Sequence, residues 1–424
     1  MIKFGTDGIR GKVNLDFTER DAFLCGEALK DQNIIIGCDT RFSSEKLKFA
    51  FSMGCKLSGS RIYDLGIAPT AMVAYLTKKM QFDFGVVITA SHNPYIYNGI
   101  KFFDKNGEKI SSRVEKRIEG YVNSSRLANY GYYSPEKLEL VDDYATFLIN
   151  SIPRIKKKKV VLDCANGALY NIASYVFGRL GMEVILINCC PNGENINLRC
   201  GATCLTGVRK IVIETRADIG FAFDGDGDRV VAVDRSGRIY NGDLILYVLA
   251  KHFGIQTVVG TKLTNIGVER ALQNQGGKLI RANIGDKFVN EMLKKHNLTL
   301  GGEPAGHIVL RDYLSTGDGL LSALKILEAT QCCDLADYID FKPYPSKLGN
   351  IYASDTKLII QNEKFCHLKQ KLRRKLIDGR ILVRPSGTES CVRILVEDRD
   401  SKVANGVCKI LADCAKSIIN NTAI

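Results

Sequence analysis

The sequence predicts an α/β protein: three similar mixed-sheet α/β domains, then a smaller α+β C-terminal domain. Three observations carry this. The chain has 424 residues, too long for a single hydrophobic core. A strand–loop–helix–glycine–strand pattern occurs three times, and the character of the chain changes after Lys342-Pro-Tyr-Pro.

The first copy of the pattern starts at Asn33-Ile-Ile-Ile-Gly-Cys-Asp, an apolar strand that enters a polar loop. A helical stretch from Ser44 to Leu57 follows, then Gly59 and a strand near Arg61-Ile-Tyr-Asp-Leu. The second runs from Lys159-Val-Val-Leu-Asp through a helix ending at Leu180 and Gly181 to the strand Glu183-Val-Ile-Leu-Ile. The third starts at Thr257-Val-Val-Gly-Thr, has a helix from Ile266, Gly276-Gly277 and a strand from Lys278. Each is a right-handed βαβ unit, which implies mainly parallel strands between helices. Beyond residue 342 the expected elements are a strand over 351–360, a basic helix over 365–376, strands over 380–383 and 392–397, and a helix over 403–419. The expected domains are residues 1–152, 153–252, 253–342 and 343–424.

Composition narrows the function. The net charge is +13, but the basic residues are spread along the chain, and the one dense run, Lys156 to Lys159, leads directly into a strand. A strand entry explains that run, and no nucleic-acid motif accompanies it. A small anionic substrate suits the charge equally well. No apolar run approaches the ~18 residues of a membrane span, and the start lacks an apolar signal segment. The expectation is a cytoplasmic protein with neither nucleic-acid nor membrane partners. Its fourteen cysteines read as reduced thiols. Cys200 and Cys204, with Cys189 and Cys190 upstream, fit no common zinc spacing.

Four loops carry the chemistry. Thr89-Ala-Ser-His-Asn-Pro follows the apolar run Phe84-Gly-Val-Val-Ile, and Lys101 stands ten residues after Ser91. The stretch is not the Gly-x-Ser-x-Gly elbow of a serine hydrolase. His92 is adjacent to Ser91, and neighbours in extended backbone point opposite ways, so it is expected to be poorly placed as a base for Ser91. Asp224-Gly-Asp-Gly-Asp-Arg follows the strand Ile219-Gly-Phe-Ala-Phe. Its carboxylates at Asp224, Asp226 and Asp228 repel one another unless a cation neutralises them, and the glycines let the loop curl around one point. An EF-hand is excluded because Arg229 and Arg235 occupy the positions that require glycine and glutamate. Hard oxygen ligands point to magnesium. Glu303-Pro-Ala-Gly-His307, after Gly301-Gly302, places a carboxylate and an imidazole where they can hold sugar hydroxyls. Arg384-Pro-Ser-Gly-Thr-Glu, with Arg393 on the next strand, supplies donors suited to a phosphate from Arg384, Ser386, Gly387, Thr388 and Arg393. Taken singly, the serine can be a turn or helix cap, the acidic loop a solvated turn, and the other two loops plain turns.

Taken together, in this order and one per domain, the four loops resemble the signatures of the α-D-phosphohexomutase superfamily over the whole chain. Within it the sequence is most similar to the bacterial phosphoglucosamine mutases, through Phe4-Gly-Thr-Asp-Gly-Ile-Arg-Gly, Asn98-Gly-Ile-Lys-Phe-Phe, Asn195-Ile-Asn-Leu-Arg-Cys-Gly-Ala-Thr and Arg281-Ala-Asn-Ile-Gly-Asp-Lys-Phe-Val. The resemblance implies four domains around a central cleft and conversion of glucosamine 6-phosphate to glucosamine 1-phosphate. Phosphomannomutase/phosphoglucomutase activity is the alternative. It implies a phosphoserine at Ser91 and magnesium on Asp224, Asp226, Asp228 and the Ser91 phosphate. It also implies a glucosamine 1,6-bisphosphate or glucose 1,6-bisphosphate activator, and Glu303, Ala305 and His307 as the sugar loop. Arg10, His92, Lys101, Arg229 and His307 surround the reacting oxygen in the family, and the sequence does not rank them as acid or base. The sequence does not reveal the oligomeric state, and a homodimer is the one assembly considered. Two departures stand out: Ala305 where the family usually has serine, and Cys200-Gly-Ala-Thr-Cys204 where it has Cys-Gly-Ser-Thr-His.

Overall fold

The computed structural model describes residues 1–125, 135–153, 155–386 and 390–422. They form four sheets. The first contains β1 (Ile9–Lys12), β2 (Asn33–Cys38), β3 (Arg61–Ile67), β4 (Phe84–Ile88), β5 (Tyr97–Asp104) and β6 (Glu136–Lys137), in the order β1-β5-β4-β2-β3-β6. The second contains β7 (Lys159–Asp163), β8 (Glu183–Ile187), β9 (Ile219–Phe223), β10 (Val230–Asp234) and β11 (Ile239–Tyr240), in the order β11-β10-β9-β7-β8. The third contains β12 (Thr257–Thr261), β13 (Lys278–Ala282), β14 (Leu300–Gly302) and β15 (Ile308–Leu310), in the order β13-β12-β14-β15. The last contains β16 (Ser346–Tyr352), β17 (Arg380–Pro385) and β18 (Cys391–Glu397), in the order β16-β18-β17.

The three expected crossovers are parallel pairs: β2 with β3, β7 with β8 and β12 with β13. A third strand joins each pair in parallel, through β4, β9 and β14. That strand then turns back on itself: β4 pairs antiparallel with β5, β9 with β10, and β14 with β15. The hairpins make the sheets mixed, and they decide where the functional loops sit. Thr89–Ile96, Asp224–Arg229 and Glu303–His307 are all hairpin connections at the carboxyl end of a parallel strand.

Local chemistry explains the helix borders. Helix Ser44–Leu57 buries Leu47, Ala50, Phe51 and Met53 in a core with Ile34, Ile36, Val86 and Ile88 of β2 and β4. Apolar residues at spacings of three and four give it one buried face. Helix Gly242–Phe253 starts at Asn241, whose side chain accepts from the Leu244 amide, and stops at Gly254 in the left-handed region. The lysine run ends at Lys159, the first residue of β7, as a strand entry should.

The C-terminal portion departs from expectation in one place. Residues 351–360 do not form one strand: β16 ends at Tyr352, and Lys357–Ile360 is a helical turn. Asp355 explains the break, because its Oδ1 accepts the Lys357 amide at 2.8 Å and starts the turn. The expected basic helix spans Glu363–Arg373, capped by Asn362, and the last helix spans Ser401–Thr422.

The chain divides into two compact bodies, residues 1–264 with 277–339, and residues 265–276 with 340–424. The helix Ile266–Asn274 therefore belongs to the C-terminal body. Asn265 Nδ2 donates to the Tyr344 carbonyl at 2.9 Å, and Arg270 pairs with Asp378 at 2.9 Å.

Within the first body, one buried contact ties helix Val141–Asn150 to helix Gly319–Ala329. The Tyr144 hydroxyl donates to Asp318 Oδ2 at 2.8 Å, while Asp318 Oδ1 accepts the Leu321 amide at 3.0 Å. Burial pushes the Asp318 carboxyl up to about 6. Tyr144→Phe is expected to lower stability by about 1–3 kcal/mol, the cost of stripping a donor from a buried carboxyl. Urea unfolding checks this; an unchanged midpoint would show the contact to be idle.

Candidate active site

Ser91 follows β4 and is fully buried, with φ of 52° in the left-handed region. Its amide donates to Thr89 Oγ1 at 2.9 Å, and its hydroxyl donates to Asp224 Oδ2 at 2.6 Å. His92 Nδ1 lies 3.3 Å from the same hydroxyl. The expectation that His92 points away from Ser91 therefore fails. It assumed extended backbone, and the left-handed turn at Ser91 removes the alternation. Burial, then the neighbouring Arg229 and Arg10, push the His92 imidazole down to about 3.

Asp224, Asp226 and Asp228 sit in the β9–β10 connection, all buried, with one oxygen of each within 4.8 Å of the others. Gly225 lets this loop reach the serine loop: a Cβ there would lie 2.6 Å from the Ser91 carbonyl oxygen. Lys101, on β5, answers part of the charge. Its ammonium lies 2.7 Å from Asp226 Oδ2, 2.8 Å from Asp228 Oδ2 and 2.8 Å from Asp7 Oδ2. Burial alone would lower the Lys101 pKa, but these three carboxylates hold it well above the usual range.

The contacts continue into a closed ring. Asp7 pairs with Lys101, Arg10 and Lys109. Lys109 also pairs with Asp286. His307 Nε2 lies 3.6 Å from Asp286 Oδ2, and His307 Nδ1 lies 3.6 Å from Asp228 Oδ1, which returns the path to Lys101. Burial alone would lower the His307 pKa; Asp228 and Asp286 hold it up. Acidic and basic side chains alternate around the ring, and its members come from all three βαβ segments.

Some acceptors stay open. Asp226 Oδ1 and Asp228 Oδ1 are buried without a hydrogen-bond partner, and burial, then Asp228 and Asp226, push the Asp224 carboxyl well above its usual range. Orphaned hard oxygens around one point, with excess negative charge, fit a small divalent cation. Among the described residues this is the one group with metal-ligand geometry. Every cysteine, including Cys189, Cys190, Cys200 and Cys204, is a free thiol.

The β14–β15 hairpin supplies the rest. Glu303 Oε1 accepts the Gly285 amide at 3.0 Å, and the hairpin meets the acidic loop through a backbone bridge between Arg229 and His307. Arg229 Nε stands 3.8 Å from Asp224 and 3.7 Å from Asp228. Ala305 is exposed at the hairpin tip. Gly317 leaves room for the imidazole: a Cβ there would lie 2.4 Å from His307 Cε1.

In the C-terminal body, Arg384 and Arg393 face each other across β17 and β18, and the Ser386 amide donates to the Cys391 carbonyl at 2.8 Å. Burial, then Arg393, push the Arg384 guanidinium pKa down. Like charges directly opposite are unfavourable unless an anion lies with them. Gly387 and Thr388 lie outside the described residues.

Ser91, His92, Arg10, Lys101, the three aspartates, Arg229, Glu303 and His307 thus all belong to the first body. Sequence reasoning missed Asp7, Lys109, Asp286 and Gly317. Asp7 and Asp286 lie inside the quoted stretches around Phe4 and Arg281, but a single aspartate carried no signal of its own.

Comparisons with known proteins bear on the family and the fold. Four family models match: phosphoglucomutase/phosphomannomutase alpha/beta/alpha domain I over residues 1–129, domain II over 142–237, domain III over 241–343, and the C-terminal domain over 351–413. The chain is 39% identical to a phosphoglucosamine mutase of Buchnera aphidicola, covering 99% of this chain and 98% of that one. It is 41% identical to one of Prochlorococcus marinus, covering 94% of each. Among solved structures, a phosphoglucomutase/phosphomannomutase family protein of Burkholderia thailandensis has a TM-score of 0.81 at 23% identity, covering 98% of both chains. The phosphoglucomutase parafusin of Paramecium has a TM-score of 0.76 at 17% identity, covering 98% and 95%; these two likenesses speak for the fold.

Gly317→Ala is expected to push the His307 ring off Asp228 and Asp286 and to lower turnover at least about tenfold in a folded protein, since small misplacements in a site are costly. Steady-state kinetics with circular dichroism check this; full activity would show that the ring's position does not matter.

Proposed function

The chain belongs to the phosphoglucosamine mutase family of the phosphohexomutases, and we propose that it interconverts glucosamine 6-phosphate and glucosamine 1-phosphate through a phosphoserine at Ser91. It is an isomerase by overall reaction, and its product feeds UDP-N-acetylglucosamine synthesis. The observation that carries the reading is the Ser91 hydroxyl, which donates at 2.6 Å to Asp224, one of three buried aspartates gathered around one point.

The two sugar oxygens are too far apart for direct transfer. The Ser91 phosphoryl group passes to the free hydroxyl of the sugar phosphate: the new P–O bond forms as the serine P–O bond breaks, and the proton of the sugar hydroxyl ends on the departing Ser91 oxygen. The bisphosphate, glucosamine 1,6-bisphosphate, turns over and returns its other phosphate to Ser91; it or glucose 1,6-bisphosphate is the activator. Asp224, Asp226, Asp228 and a phosphate oxygen of Ser91 would hold magnesium, which when bound would neutralise phosphoryl charge. His92 has a ring nitrogen 3.3 Å from Ser91 Oγ, within reach of the serine proton. Lys101 is engaged by three carboxylates, so its part is to balance charge beside the aspartates. Arg10 and Arg229 add positive charge near the reacting oxygens. Glu303 and His307 are the sugar contacts for both orientations. Arg384, Ser386, Gly387, Thr388 and Arg393 hold the phosphate that is not reacting.

The reading places residues 1–152, 153–252, 253–342 and 343–424 as the serine, metal, sugar and phosphate domains, in a cytoplasmic enzyme. Among the described residues no helix is long and apolar enough to cross a membrane. Ala305 lacks the hydroxyl that the family usually has beside Glu303, a loss of about 0.5–1.5 kcal/mol at most. Glucosamine phosphate should therefore remain preferred, with detectable turnover of glucose phosphate. Side-by-side assays with glucosamine, glucose and mannose 6-phosphates test this; preference for glucose or mannose would overturn the sugar assignment and leave the mutase. Intact-protein mass should show a phosphate addition that Ser91→Ala lacks, together with lost turnover. A Ser91→Ala variant of near-normal activity would overturn the mechanism.

A further inference from the structure

The serine loop needs a support of its own. It is a connection rather than a regular element, and Ser91 occupies a backbone region that disfavours residues with a Cβ. That support comes largely from one side chain on a different connection. Arg41, just beyond β2, is 2% exposed. Its Nε donates to Asp39 Oδ2 at 2.8 Å. Nη1 donates to the carbonyls of Pro94 at 2.6 Å and Tyr97 at 2.9 Å. Nη2 donates to the carbonyls of Ser91 at 2.8 Å and Asn93 at 2.9 Å. All five N–H groups of the guanidinium are used, and four of them end on carbonyls of one seven-residue stretch, 91–97.

The partner carboxylate completes the hold. Asp39 Oδ2 also accepts the Thr89 hydroxyl at 2.6 Å, and Thr89 Oγ1 accepts the Ser91 amide at 2.9 Å. Asp39 Oδ1 accepts the Ser44 hydroxyl at 2.9 Å and the Arg41 amide at 3.1 Å. Both the N–H and the C=O of Ser91 are thus fixed through the Asp39–Arg41 pair. Asn197, from the second βαβ segment, adds donors to the Ser91 carbonyl at 2.9 Å and the Asn93 carbonyl at 3.2 Å. Arg41's hydrogen bonds go to carbonyls and to Asp39, and none goes to the Ser91 hydroxyl or the acidic set.

We propose that Arg41 is a positioning residue for phosphoryl transfer, holding residues 91–97 in the turn that aims the Ser91 hydroxyl at Asp224. This rests on the reading of Ser91 as the phosphorylated residue. A lysine keeps the charge but has three donors without the planar fork, so it does not reproduce five bonds to diverging acceptors. Sugar and distal-phosphate contacts come from other loops, so the loss should fall on kcat and on phosphorylation of Ser91 rather than on KM.

The test uses the full chain with Arg41→Lys and Arg41→Ala. In Arg41→Lys, kcat is expected to fall about a hundredfold, as for a misplaced reacting group, with KM within about threefold of wild type. Added guanidinium should restore part of the activity of Arg41→Ala, because it fits the space the side chain leaves. Amide hydrogen exchange over residues 90–97 should speed up in both variants, whether or not the wild type turns over sugar phosphate. If exchange rises while wild-type protein carries no phosphoserine, the proposed reaction fails and the hold of Arg41 on the loop stands. Wild-type exchange over 90–97 in Arg41→Lys, or wild-type kcat, would overturn the proposal. Global unfolding of Arg41→Lys, seen in near-ultraviolet circular dichroism, would also overturn it by assigning Arg41 to the fold as a whole.

Discussion

Three buried carboxylates with oxygens within 4.8 Å of one another are the constraint around which the first body is built. At an effective dielectric constant of about 20, each pair of like charges at that distance costs about 3–4 kcal/mol. Ionising all three together, with nothing beside them, would approach the whole stability of an ordinary domain. The fold answers with basic side chains from several directions. Lys101 arrives from β5, Arg229 from the acidic loop itself, and His307 from the β14–β15 hairpin. Asp7 and Asp286 stand against Lys101 and His307 in turn, and Lys109 pairs with both of those carboxylates. The balance still leaves Asp226 Oδ1 and Asp228 Oδ1 without a hydrogen bond, an arrangement that fits a divalent ion. Truncating any one member leaves a buried charge exposed to its neighbours, so the site's electrostatics and the joining of the segments are one problem.

Topology places the chemistry. In each of the first three sheets the functional loop follows the third parallel strand and leads into an antiparallel one. The carboxyl ends of parallel strands are where open α/β sheets bind ligands. A hairpin there gives a short connection with both ends anchored, which suits groups that must keep their geometry. The last sheet is wholly antiparallel, yet Ser386 also starts a connection between adjacent strands, β17 and β18. Four different side-chain sets thus occupy the same kind of backbone position.

Much of this was legible in the sequence, for physical reasons. Helix Ser44–Leu57 and strand Glu183–Ile187 have the expected limits because their apolar periodicity is strong. The acidic loop was readable because alternating aspartates and glycines have few other uses. The hairpins were less so: β14 and β15 are three residues each, too short to show a period. The strand expected over 351–360 failed because one side-chain hydrogen bond from Asp355 outweighed β propensity. His92 was misjudged because nothing in the sequence announces a left-handed serine. Arg41, Asp7, Lys109 and Asp286 act through partners far away in sequence, and only the fold brings those partners together.

The central claim is that the open acidic set is completed by a divalent ion, and thermal unfolding tests it without any assay of turnover. Magnesium should raise the midpoint of the wild-type protein, by the equivalent of about 2.7 kcal/mol at a hundredfold excess over its dissociation constant. In Asp226→Asn, which removes one of the orphaned oxygens' charges, the same addition should shift the midpoint far less. No magnesium-dependent shift in the wild type, or an equal shift in both proteins, would contradict the account.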